Sequence, residues 1–180
     1  MNLKLFIILL LSILLSHKSK AQGVFNHDSP FFTLDYGQNW KLGPQKSTSL
    51  LFGTIYKIEN DTISSILRIG KDLYLDKLGS VWNINENGEK YLLEMSGAVI
   101  DSLKIFRTFH SGRKTSIITF KTLLTKGIKK QKYTGKIYKF LLVENNQEHI
   151  LFFFLIAPDN KYDDDVIDFD YLMKSLKFNN

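Results

Sequence analysis

Six lysines stand between positions 126 and 139 and form the densest charge feature of the chain: Lys126, Lys129, Lys130, Lys132, Lys136 and Lys139, with Tyr133 and Tyr138 between them. A cationic ribbon of this kind could contact an acidic partner or an anionic envelope surface. The same lysines would also suit a solvated hairpin whose charges discourage edge-to-edge strand pairing. Lysine rather than arginine points away from bidentate phosphate recognition, which uses a planar fork. A second cluster, Asp159, Asn160, Asp163, Asp164 and Asp165, gathers hard oxygens ahead of the C-terminal segment. Such oxygens could hold calcium. The glycine and distal glutamate of an EF-hand loop are missing, however, and carboxylates opening a helix explain the cluster through capping and the helix dipole. No metal site is expected.

Beyond residue 21 there are three histidines, His27, His110 and His149, with no i, i+4 pair and no carboxylate at metal-ligand spacing. They read as solvated or hydrogen-bonded side chains. Serine, histidine and aspartate all occur, but no Gly-x-Ser-x-Gly turn presents a nucleophile. Cysteine is absent, which removes thiol nucleophiles, thiol redox chemistry and thiolate metal sites. No catalytic residue and no cofactor is assigned.

The address is easier to read than the chemistry. Lys4 precedes an apolar run at 5–15 (LFIILLLSILL), and Ser19 and Ala21 supply small residues at −3 and −1 before Gln22. Residues 1–21 are therefore expected to be a secretory signal peptide cleaved between Ala21 and Gln22, with an apolar core too short to span a bilayer; an uncleaved amphipathic or membrane anchor is the alternative. No cysteine follows it, so no lipid anchor is expected there. Export would deliver the chain to the periplasm or the extracellular space, with no transmembrane span in the mature part. Removing residues 1–21 takes away Lys4, Lys18 and Lys20, so 24 basic residues become 21 against 18 acidic ones, a net charge of +3. That small excess does not favour nucleic acid as a partner.

After Gln22 no linker composition or repeat interrupts the chain. Residues 22–30 read as a flexible polar lead-in and 31–180 as a single domain. Residues 31–36 predict a strand, with Gly37, Gln38 and Asn39 turning the chain into Trp40, and Phe31, Phe32, Tyr36 and Trp40 are expected in the core. Residues 49–58 and 62–69 predict a hairpin across a polar turn. Leu75, Leu78, Val81 and Trp82 recur at helical spacing, so 74–84 predicts a helix, with a second short one at 88–95 after a break at 85–88. That second helix would turn Glu89 outward and Tyr91 and Met95 inward. Residues 99–110 and 115–124 pair across Ser111 and Gly112, and 133–144 and 148–157 across 145–147. Residues 150–156 (ILFFFLI) suit a strand covered on both faces. Val166, Phe169, Leu172, Met173 and Leu176 make an apolar stripe that predicts a helix over 165–176. A charge at Phe169 or Leu172 should unfold the domain.

An early aromatic strand leads into a turn and Trp40. The chain ends with an apolar strand, the turn Ala157-Pro158-Asp159, and a helix closing in Ser175-Leu176-Lys177-Phe178. This order resembles the PsbP/Mog1-like family of α/β/α sandwich domains from about Phe31 to Phe178. The resemblance implies an α+β fold: a largely antiparallel sheet of six or seven strands, with a central helix and a C-terminal helix packed on it. Members of that family are mostly binding or assembly factors, and the resemblance carries over no functional residue. The expected role is a secreted or periplasmic non-enzymatic factor of the bacterial cell envelope that binds a protein or another envelope component. An envelope hydrolase with a site visible only in three dimensions, or a carrier of a small apolar ligand between sheet and helices, are the alternatives.

Overall fold

A computed structural model describes residues 23–28, 31–44, 51–60, 62–72, 81–95, 98–126, 129–144 and 147–178. Residues 1–21, expected to be a signal peptide, and most of the helix predicted over 74–84 lie outside the described residues. Among the described residues the strands are β1 Gly23–Asp28, β2 Phe31–Tyr36, β3 Trp40–Leu42, β4 Leu51–Glu59, β5 Thr62–Asp72, β6 Val99–His110, β7 Arg113–Lys126, β8 Lys129–Glu144, β9 Gln147–Pro158 and β10 Lys177–Phe178. The helices are α1 Glu86–Met95 and α2 Tyr162–Ser175, and a 3₁₀ turn occupies Val81–Asn83.

Seven strands form one antiparallel sheet in the order β3-β4-β5-β9-β8-β7-β6, and β1-β2-β10 form a small second sheet. The fold class is the expected α+β. Three predicted hairpins are present, and their turns have physical causes. Ser111 and Gly112 both take positive φ, 50° and 75°, the twist that a two-residue hairpin turn requires. Asn60 turns β4 into β5 with φ 48°. Trp40 enters β3 through its amide bond to the Gly37 carbonyl at 3.0 Å.

β9 lies between β5 and β8. It buries Leu151, Phe153 and Leu155 on one face, while Phe152, Phe154 and Ile156 on the other are only half-buried, so the cover on both faces that its apolar run predicts is complete on one face alone. Leu151, Phe153 and Leu155 meet α2 and the small sheet, where Phe25, Phe32 and Leu34 close the core together with Phe169, Leu172, Met173 and Leu176. Each of these side chains is almost fully withdrawn from water, worth about 1.5–3 kcal/mol apiece. The opposite face meets α1 and the 3₁₀ turn through Ile100, Ile118, Phe120 and Ile137, and through Val81, Ile84 and Ile150.

Three local expectations are corrected. Residues 23–28, read as part of a flexible lead-in, form β1, because Phe25 stacks on Phe32 and sinks into the core. α1 begins at Glu86 rather than after Gly88: the Asn85 carboxamide accepts the Gly88 amide at 2.8 Å and caps the helix. Its buried face is also different, since Glu89 is 4% exposed while Tyr91 and Met95 are 61% and 60% exposed. The reason for that inversion is an ion pair.

Candidate binding surface

Lysines sit on both faces of the large sheet, and strand parity decides what each one does. Lys139, one of the six ribbon lysines, points into the α1 side. Its ammonium donates to Glu89 Oε2 at 2.8 Å and to Asp72 Oδ2 at 2.7 Å. Its side chain is 5% exposed and that of Glu89 4%. Burial lowers its pKa, but the charges of Glu89 and Asp72 and their hydrogen bonds raise it more, so the net shift is upward. Lys139 is therefore a permanent cation that fastens α1 to the sheet, and it is removed from the contact surface the sequence suggested.

Lys57 on β4 does the same on the α2 side. It donates to Asp165 Oδ1 and Asp168 Oδ2, both at 2.6 Å, and the Ser65 hydroxyl donates to the second oxygen of Asp165. Burial lowers the Lys57 pKa, and the hydrogen bonds and charges of Asp165 and Asp168 raise it beyond that. A lysine kept protonated in this way is no general base, and Ser65, 1% exposed, is no accessible nucleophile. Asp165 is thus a buried partner rather than a capping carboxylate; Lys161 holds the N-cap position without a side-chain bond. Lys161 pairs with Glu59, whose pKa is lowered chiefly by that hydrogen bond. Asp159 accepts the Thr134 hydroxyl. Among the described residues no group of His, Asp or Glu could hold a metal ion.

Lys136 points to the α2 side and donates to both oxygens of Asp170 at 2.7 Å, while the Tyr138 hydroxyl donates to the same carboxylate at 3.0 Å. Burial, then the Asp170 charge, pushes the Tyr138 hydroxyl up. Lys132 is exposed and, among the described residues, makes no ion pair. Lys126, Lys129 and Lys130 belong to β7 and β8, but their side chains lie outside the described residues.

Two lysines outside the ribbon complete the surface. On the α2 side of the sheet, Ser102, Lys121 and Thr134 form one cross-strand row, and Lys104, Thr119 and Lys136 the next. Lys121 then has Lys104, Lys132 and Lys136 as diagonal neighbours, at the ~7–8 Å spacing of such pairs. Ser102, Lys104, Thr119, Lys121 and Thr134 line a groove of about 340 Å³ together with Tyr162, the first residue of α2. Burial, then the charges of Asp170 and Asp163, pushes the Tyr162 hydroxyl up to about 12, so it remains a donor at neutral pH. The sequence signal for Lys104 and Lys121 was available only through the register, because neither belongs to a run of charge.

Two of the histidines pack against the core, and the buried Nδ1 of His149 has no hydrogen-bond partner among the described residues. His110 Nε2 donates to the Met173 carbonyl at 2.8 Å, and its ring packs edge-on to Phe140; His27 lies 3.9 Å from Phe52 between ring centroids. The space between sheet and α2, where an apolar ligand would sit, is filled by Phe32, Phe140, Phe153 and Phe169. Two open grooves border α2 on its other side, both lined by Gly37, Tyr171 and Leu172. The closing residues Ser175-Leu176-Lys177-Phe178 fasten the small sheet. Ser175 accepts the Asp35 amide at 3.1 Å, Leu176 is buried, and Phe178 pairs with Phe32.

This architecture is that of the PsbP-like α+β domains. It is similar to cyanobacterial PsbP (CyanoP) from Synechocystis sp. PCC 6803, with a TM-score of 0.56 and 11% identity over 87% of this chain and 92% of that one. It is also similar to LpqN, involved in cell envelope biogenesis of Mycobacterium tuberculosis, with a TM-score of 0.57 and 12% identity over 88% of this chain and 90% of that one. No family profile matches the chain, and no curated protein sequence matches it either. Among the described residues no helix is long and apolar enough to cross a membrane.

Proposed function

We propose that this protein is an exported, non-enzymatic binding or assembly factor of the bacterial cell envelope. The observation that carries this reading is the division of its charged groups. The described ionisable groups that the fold gathers inward, around Lys57 and Lys139, are closed ion pairs joining helix to sheet. The features turned outward are open grooves beside α2 and the lysines of the sheet face. Inward groups that are neutralised and inaccessible hold a shape, and open grooves offer it to a partner. The fold shared with LpqN supports an envelope role, and the apolar N-terminal run supports export.

The test combines mass spectrometry of the exported chain with cross-linking in living cells. A mature product starting at Gln22 and recovered in the envelope fraction is expected. A photo-crosslinking side chain in place of Tyr171, 63% exposed, should capture a discrete envelope component, whereas one at Ile63, 55% exposed at the far turn, should not. The reading is overturned if purified protein turns over an envelope ester, amide or glycan and Ser65→Ala or His110→Ala abolishes that turnover.

A further inference from the structure

We propose that the groove over Lys121 is a binding site for a phosphate-class oxyanion, held by Lys104, Lys121 and Lys132 and by the hydroxyls of Ser102, Thr119 and Tyr162. The proposal rests on the envelope-binding reading and names the ligand chemistry for one face of it. Three observations carry it. First, these three lysines share one face by strand register and are exposed, and among the described residues none has an ion-pair partner. Lys104 and Lys132 flank Lys121 on opposite diagonals, each about 7–8 Å from it and so within the ~8–10 Å Debye length; the repulsion of each with Lys121 is only partly screened, and an anion beside Lys121 relieves it.

Second, no carboxylate lines the groove. Of the nearby acids, Asp170 is engaged by Lys136 and Tyr138 and Asp159 by Thr134, while Asp101 and Asp163 lie exposed at the margins; Asp101 and Asp159 border the adjoining groove that Lys121 shares with Lys132. Third, the lining alternates ammonium with hydroxyl, donors that converge on a tetrahedral oxyanion from several directions. Lysine supplies point charge here without the planar fork of arginine, so the site would hold its anion by charge rather than by bidentate geometry. Two sources share this chemistry: free phosphate and the headgroup of an anionic phospholipid.

The experiment uses the mature chain with three probes: inorganic phosphate followed by calorimetry, and sedimentation with vesicles of phosphatidylglycerol or of phosphatidylcholine. Lys104→Ala and Lys121→Ala are the test variants and Lys174→Ala, an exposed lysine on α2, is the control. Each test variant is expected to weaken binding about fivefold, the loss of about 1 kcal/mol per lysine near an anionic surface. Phosphate binding that weakens in both test variants supports the site with a free oxyanion as its source. Binding only to phosphatidylglycerol, with the same losses, supports it with a headgroup as its source. The site is overturned if neither anionic probe binds, if phosphatidylcholine binds equally well, or if Lys174→Ala loses as much as Lys121→Ala. A Tyr171 cross-link to an envelope component without anion binding would sink this site and leave the proposed function standing. Loss of the cross-link with anion binding intact would do the reverse.

Discussion

Replacing Lys139 by methionine keeps the aliphatic stem of the side chain and deletes its charge. The deletion strands the Glu89 carboxylate, at 4% exposure, and takes one partner from Asp72, at 14%. Removing one partner of a buried pair costs about 3–5 kcal/mol, because the surviving charge has no compensation in low dielectric. With Glu89 stranded, the loss is expected near the middle of that range, at ~4 kcal/mol. For a domain of this size each kcal/mol moves the melting temperature by about 2–4 °C, so a fall of roughly 8–16 °C is expected. Urea unfolding followed by the fluorescence of Trp40 and Trp82 gives the free energy directly, and an unchanged slope confirms that the same surface unfolds. Lys132→Met, on an exposed side chain of the same strand, should stay within about 0.5 kcal/mol. Adding Glu89→Gln to Lys139→Met should cost less than the sum of the single changes, with a coupling of about 1–3 kcal/mol. If Lys139→Met costs no more than Lys132→Met, the assignment of Lys139 to the fold is wrong.

The remaining expectations concern pH and two glycines. Burial lowers the pKa of Lys57 and Lys139, but their carboxylate partners leave each raised above 10.5, so the stability they contribute is complete below that value and lost as pH rises through the folded pKa. Tyr162, pushed up to about 12 by burial and then by Asp170 and Asp163, acts in the same window, since the unfolded chain ionises from about pH 10. Circular dichroism should therefore show unfolding on the alkaline limb, with tyrosinate absorbance rising alongside it; a loss already complete by about pH 9 would contradict the pairing. Gly135→Ala places a methyl group against the Phe120 ring directly across the strands and should cost about 1–3 kcal/mol, with Phe120→Leu recovering much of it. Gly112→Ala meets no neighbouring atom, so a loss of about 1–2 kcal/mol there would measure the positive φ alone, and no loss would refute the turn assignment.

Much of this fold could be read from local chemistry. The hairpins follow polar turn residues between β-branched runs, and α2 follows the stripe from Val166 to Leu176, because both signals are short in range. Even so, α2 starts at Tyr162, ahead of the expected 165. β1 escaped because its order comes from pairing with β2 and from one aromatic anchor, Phe25, which no periodicity announces.

The charged site was legible only in part. Lys57 and Lys139 each end an Ile-Tyr-Lys triplet within an apolar strand, Ile55-Tyr56-Lys57 and Ile137-Tyr138-Lys139, and that setting does signal burial. Their partners Asp165 and Glu89 instead satisfied simpler local rules, as a helix-opening carboxylate and a polar helix face. Lys104 and Lys121 lie 17 residues apart by number (121 − 104) and become neighbours only through the β6–β7 register. A linear charge count groups Lys136 and Lys139 with Lys132, and strand parity separates Lys139 onto the other face.

Lysine acetylation of the folded chain, read residue by residue in a mass spectrometer, tests this division most directly. Lys104, Lys121 and Lys132 should react quickly and Lys57 and Lys139 only on unfolding, with the first three protected by phosphate or by phosphatidylglycerol vesicles. Equal labelling of Lys139 and Lys132, or no protection by either anion, would contradict it.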